Sequence, residues 1–194
     1  AAGTLSWISH EEPARVLLVE AGAVKPMIAL LSSGSSDAAM HAANAIGWFA
    51  NEHPTRQLLV KHGAIEPLVS LVRTGSPDAR MHAANALGWL SSEKDTRDGM
   101  VGIGVVGALV DLLTVGTDNG KRYAAIALGW LAYDKSTRML MVDEGAVPPL
   151  ANLMATGTDN GKIAGAFAIG WLANEPTARG KIVSSGAIDP LVKL

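Results

Sequence analysis

From Ala64 to Arg73 the chain reads Ala-Ile-Glu-Pro-Leu-Val-Ser-Leu-Val-Arg. Ile65, Leu68, Val69 and Val72 fall at i, i+3, i+4 and i+7, with a proline near the start, which predicts one apolar face of a short helix. A second short helix is predicted over Pro54 to His62, where Gly63 ends it as the residue just past the C-cap. Beyond Gly75, Ser76 is a natural N-cap. It opens a third, longer helix over 76–92 that carries Trp89.

The same text recurs in register. Tryptophan stands at Trp7, Trp48, Trp89, Trp130 and Trp171, each 41 residues after the last. Arginine follows at 15, 56, 97, 138 and 179, glycine at 22, 63, 104, 145 and 186, and leucine at 30, 71, 112, 153 and 194. A second glycine recurs at 34, 75, 116 and 157, each followed by a capping hydroxyl residue (Ser35, Ser76, Thr117, Thr158). A period near 40 built from helices predicts an α-solenoid. Residues 1–194 form one solenoid of about 4.7 units, partial at both ends, with third helices near 1–9, 35–51, 76–92, 117–133 and 158–174. Neither end shows a polar capping repeat, so end-to-end contacts between copies, or further repeats, are expected to cover them.

At 100° per residue, with Trp48 at 0°, the residues Ala42, Ala43, Ile46, Phe49 and Ala50 fall between about 100° and 220°. Met40, His41, Asn44 and Asn51 lie with Trp48 between about −80° and 20°. The tryptophans are therefore expected on the face opposite the alanine-rich core. Stacked units turn that face into a ladder of large aromatics, which offer much contact area at little cost in side-chain entropy. A competing structural role is also expected: each indole would lie over the glycine before a neighbouring tryptophan (Gly47, Gly88, Gly129, Gly170) and knit units together.

Gly-Ala-Ile-Glu-Pro-Leu-Val-Ser-Leu-Val at 63–72, followed by Ala-Ala-Asn-Ala-Leu-Gly-Trp-Leu at 83–90, resembles the armadillo repeat over the whole chain. The two-helix HEAT repeat is the nearest rival. The armadillo resemblance implies an all-α, right-handed α-solenoid with three helices per 41-residue unit and a concave groove lined by the third helices. In peptide-binding members such as importin alpha and beta-catenin, a third-helix Trp and an Asn four residues later hold an extended peptide. The Asn brackets the backbone and the Trp flanks long basic side chains.

Aligned on Ala-Ala-x-Ala-Leu-x-x-Leu, Asn44 and Asn85 occupy the family's Trp place, and Trp48, Trp89, Trp130 and Trp171 its Asn place. The two roles are exchanged in the first half. Ile126 and Phe167 replace the Asn in the second, so a regular backbone clamp does not carry over, nor does recognition of nuclear localisation signals. With these departures, the expected protein partner presents an extended, partly apolar segment. It would lie against Trp48, Trp89, Trp130, Trp171, Asn44, Asn85, Ile126, Phe167, His41 and His82.

Composition narrows the alternatives. A net charge of −2 and no basic stripe make nucleic acid a poor partner. No apolar run is long enough to span a bilayer, so no membrane role is expected. With no cysteine, disulfides and thiolate metal sites are out and an intracellular setting is expected. The five histidines have no metal spacing, and no nucleophile recurs beside one, so neither cofactor nor catalysis is expected. Gly-Ile-Gly-Val-Val-Gly at 102–107 imitates a dinucleotide fingerprint, and the Gly-Thr-Asp-Asn-Gly-Lys at 116–121 and 157–162 a phosphate loop; each is read as repeat linker.

Two further expectations concern stability. An acid four residues before each arginine (Glu11, Glu52, Glu93, Asp134, Glu175) predicts within-unit pairs worth about 0.2–0.5 kcal/mol. Gly99 and Gly102 weaken one short helix, which predicts the most mobile interior segment over 95–104.

Overall fold

The computed structural model describes residues 2–192, with Asp98 described by its backbone alone; Ala1 and Leu194, the last of the leucine column, lie outside them. Every element among the described residues is a helix. The chain begins in a third helix, α1 (Ala2–Ile8). Next come α2 (Glu12–Glu20), α3 (Val24–Ser33) and α4 (Ser36–Asn51), then α5 (His53–Lys61), α6 (Ile65–Thr74) and α7 (Pro77–Ser91). The pattern continues with α8 (Lys94–Val101), α9 (Val105–Val115) and α10 (Asp118–Leu131), followed by α11 (Lys135–Asp143), α12 (Val147–Thr156) and α13 (Asp159–Leu172). It ends with α14 (Pro176–Ser184) and α15 (Ile188–Val192).

The two glycine columns end helices for different reasons. Gly22, Gly63, Gly104, Gly145 and Gly186 all have φ between 74° and 78°, the left-handed region that other residues rarely adopt. At Gly63 the turn closes as a Schellman motif, with Gly63 N donating to Val60 O (2.9 Å) and Ala64 N to Leu59 O (3.0 Å). Gly75 has ordinary extended angles, but a Cβ there would lie 2.6 Å from Leu71 O, so what it requires is space. The hydroxyls of Ser35, Ser76, Thr117 and Thr158 then accept from backbone N–H groups three residues on and start α4, α7, α10 and α13.

These third helices stack directly on one another and form the spine of the array. Alanine and glycine make the close approach possible. On α4 the buried arc includes Ala42, Ala43, Ile46 and Phe49, and extends to Ala45 and Gly47 because a neighbouring third helix covers each flank. Among the described residues no single helix is long and apolar enough to cross a membrane.

Candidate functional site

The five indoles differ in exposure, and Trp171 packs partly against the hydrophobic core. Trp7 is 75% exposed and Trp89 39%, while Trp48, Trp130 and Trp171 are half-buried. At Gly47, Gly88 and Gly129 the atoms nearest a Cβ on the glycine come not from the next indole, as the knitting role would require, but from residues three or four places before it, and a Cβ on Gly170 would meet nothing within 4 Å. The Asn85 amide lies 3.1 Å from where a Gly47 Cβ would stand, Ile126 lies 3.8 Å from that of Gly88, and the Phe167 ring occupies that of Gly129. In α1 the glycine is replaced by Ser6, and Asn44 Nδ2 donates to its hydroxyl at 2.9 Å. Asn44, Asn85, Ile126 and Phe167 therefore sit on the seams between units. The Asn44 amide is already committed to Ser6, whereas Asn85 makes no side-chain hydrogen bond among the described residues.

A second set of rings, not singled out by the sequence, fills spaces between successive indoles. His10 lies 6.2 Å from Trp7 and 4.2 Å from Trp48. Tyr133 stacks on Trp130 at 5.7 Å and 18°, and reaches Trp171 at 3.9 Å. Both stand three residues after a tryptophan, one helical turn along the same face. The equivalent residues of the middle units are Asn51 and Ser92, and the Ser92 hydroxyl turns back to Trp89 O at 2.7 Å. Trp130 also meets Phe167 edge-on at 5.4 Å. Among the described residues Trp89 has no aromatic neighbour.

The arginine column corrects the expectation of acid–arginine pairs at i and i+4. The acids stand at the N-caps of the first helices with extended backbone (Glu52 φ −90°, ψ 125°), so helical spacing does not apply to them. Three of the arginines instead pair with the acid of the following unit, Arg15 with Glu52 at 2.8 Å, Arg56 with Glu93 at 3.0 Å and Arg97 with Asp134 at 2.7 Å, whereas Arg138 forms no such pair with Glu175 among the described residues. The same guanidiniums donate to carbonyls at the C-terminal ends of the third helices: Arg97 to Ser91 O and Ser92 O, Arg138 to Ala132 O and Tyr133 O. This placement satisfies orphan carbonyls and puts positive charge at the negative end of the helix dipole. It also sets the guanidinium beside the indole ladder, with Arg15 Cζ 6.0 Å from the Trp48 ring and Arg97 Cζ 5.5 Å from Tyr133.

His41 and His82 line the same face nearer the starts of α4 and α7, and both are half-buried. Burial lowers the pKa of His82; Asp78 opposes the shift and His41 adds to it. No cluster of metal-ligating side chains occurs among the described residues. The fingerprint-like glycines at 102–107 join the end of α8 to the start of α9, with Gly104 as the left-handed turn residue, and Gly116 and Gly157 end α9 and α12.

A sequence model of HEAT repeats matches residues 24–129. Comparison with curated proteins by sequence gives no match. Similar solved structures include an engineered protein at TM-score 0.91 and 25% identity, covering all of this chain and 82% of that one. Another is a computationally designed armadillo repeat protein for modular peptide recognition, at TM-score 0.89 and 25% identity, covering all of this chain and 83% of that one. A third is a designed armadillo repeat protein in complex with the peptide (KR)4, at TM-score 0.87 and 25% identity with the same coverage. The chain belongs to the HEAT-repeat family of helical solenoids, and its three-helix units give it the armadillo form of that array.

Proposed function

We propose that this chain is a protein-interaction module that holds an extended peptide segment in a groove along its third helices. What supports the reading is the indole repeated in every third helix, with Trp89 39% exposed and without an aromatic neighbour among the described residues. A large ring left this exposed in an ordered row is an anchor for something else. The designed relatives, one of them holding a peptide, support the reading. Asn85, Ile126, Phe167, His41 and His82 would complete the walls, Asn44 contributing through whatever its bond to Ser6 leaves free. The proposal assigns no catalysis, cofactor, nucleic acid or membrane, and takes the setting to be intracellular.

Trp89→Ala is the direct test, because removing this ring disturbs no internal ring contact. A peptide-array ligand read by indole fluorescence should lose tenfold or more in affinity, as roughly 1.4 kcal/mol or more at an interface anchor implies. The thermal midpoint should stay in place. Melting with unchanged affinity would make the ring structural. Trp130→Ala, by contrast, should cost both, since Tyr133 and Phe167 lean on that ring.

A second reading, an assembling scaffold, is favoured by exposed apolar side chains in the outermost helices: Trp7 and Leu17 at one end, Ile163, Val183 and Val192 at the other. End-to-end stacking would cover them. Particle size that grows with concentration in light scattering would support it.

A further inference from the structure

Two of the spaces between successive indoles are occupied by the chain's own rings, His10 between Trp7 and Trp48 and Tyr133 between Trp130 and Trp171. The two central spaces, on either side of Trp89, have only Asn51 and Ser92 at the corresponding positions. From this internal mimicry we infer that these central spaces are binding slots for aromatic side chains of the partner, taking the places that His10 and Tyr133 fill elsewhere. The inference rests on the groove reading above and names the chemistry of its guest.

The floor of the slots decides between an aromatic and a basic guest. Beneath Tyr133 lies Arg97, its Cζ 5.5 Å from the ring. The residues one and two units earlier, Arg56 and Arg15, hold the same place beneath Ser92 and Asn51, with the same carbonyl and acid partners. Their side chains are only 11% and 7% exposed, so they form a fixed floor. A guest ring there would meet an indole on each side and a guanidinium below, an arrangement that favours an electron-rich face. A guest lysine or arginine would face that guanidinium instead. It would also find Glu52 and Glu93 already paired with Arg15 and Arg56. The groove-side acids Asp37 and Asp78 begin the third helices, about 16 Å along the axis from Trp48 and Trp89, too far to reach the slots.

Spacing sets the motif. Stacked helices lie about 8–10 Å apart, and an extended polyproline-type chain advances about 9.3 Å in three residues while returning to the same face. The guest is therefore an aromatic-x-x-aromatic segment, with one ring on each side of Trp89.

The test uses the whole chain and short blocked peptides containing Tyr-Pro-Pro-Tyr, Arg-Pro-Pro-Arg or Leu-Pro-Pro-Leu, followed by the indole N–H resonances. The tyrosine peptide should shift Trp48, Trp89 and Trp130, and bind roughly tenfold more tightly than the other two. Ser92→Tyr and Asn51→His, which copy the chain's own plugs, should each weaken it by a similar factor while the melting curve is retained. Tyr133→Ser provides an independent arm, since it opens a third slot and a peptide with a third tyrosine should then gain affinity. If the arginine peptide binds as tightly at the same indoles, or if neither plugging nor opening a slot changes the tyrosine peptide's affinity, the aromatic assignment is overturned and the groove stands. If none of the three peptides moves any indole, the groove itself falls and the assignment with it.

Discussion

The glycine that precedes each tryptophan offers one substitution at four places with opposite outcomes. Glycine inside a helix costs roughly 0.5–1 kcal/mol relative to alanine, so alanine should stabilise wherever its methyl group has room. At Gly170 a Cβ meets nothing within 4 Å, and at Gly88 it meets Ile126 and Ala127 at 3.8 Å, ordinary contact. Both substitutions should raise stability by about 0.5–1 kcal/mol, roughly 1–4 °C for a chain of this size. At Gly129 the methyl group would fall on the Phe167 ring, which cannot move without giving up its edge-on contact with Trp130. Overpacking costs about 1–3 kcal/mol and outweighs the helical gain. Gly129→Ala should therefore lose about 1–2 kcal/mol. Pairing it with Phe167→Ile, the residue that covers Gly88, should restore most of the loss. Gly47, with Asn85 at 3.1 Å, should fall between. Far-ultraviolet circular dichroism during thermal unfolding measures all five variants. If Gly129→Ala stabilised as Gly170→Ala does, the stacking of side chains over this column would be refuted.

Arg97→Ala removes a side chain that is 8% exposed, bonds Ser91 O and Ser92 O, and pairs with Asp134 at 2.7 Å. A loss of about 2–3 kcal/mol is expected in chemical denaturation, well above an exposed pair, and Arg97→Lys should recover only part of it. His82 is held below the ordinary histidine value of about 6.5 by burial, so the folded chain prefers its neutral form. Its contribution is complete above the unfolded value and is lost as pH falls from there through the lowered folded one. Urea midpoints should therefore decline on acidification, and His82→Ala, matching Ala164 in the last third helix, should flatten the decline. Gly99, inside α8, has open space around its missing Cβ. Gly99→Ala should add about 0.5–1 kcal/mol, and amide exchange over 95–104 should slow toward that of the other first helices.

The repeat period, the three helices, their glycine stops and their hydroxyl caps were all legible in the sequence, because each is a local rule written several times. Ser76 caps α7 and Gly63 takes a left-handed φ for reasons contained within a few residues. Side chains that act between units were less legible. The i, i+4 spacing of Glu93 and Arg97 pointed to a pair that does not form, because an N-cap residue lies outside the helical geometry. The actual partner of Arg97, Asp134, is 37 residues away. The armadillo resemblance sets Asn85 and Phe167 along a peptide groove, and only the stacking of units reveals that both also lie over a neighbour's glycine. His10 and Tyr133 are illegible in the sequence for the opposite reason: their column runs His, Asn, Ser, Tyr, Asn and shows no repetition.

That contrast separates architecture from specificity. The Trp, Arg and Gly columns persist through the described units because stacking demands the same geometry each time: a turn that only glycine tolerates, a guanidinium across each helix end, a flank without a side chain. Columns that face solvent beside the indoles are released from that demand and are free to differ. Tyr133 closes one space with a ring, whereas Ser92, one unit earlier over the equivalent Arg56, leaves its own free of one. In a solenoid of near-identical units, a ligand's register along the array can only be set by such breaks in the repetition. Asn51 and Ser92, on either side of Trp89, are two such breaks in the column that holds His10 and Tyr133, so a guest should be centred on that tryptophan.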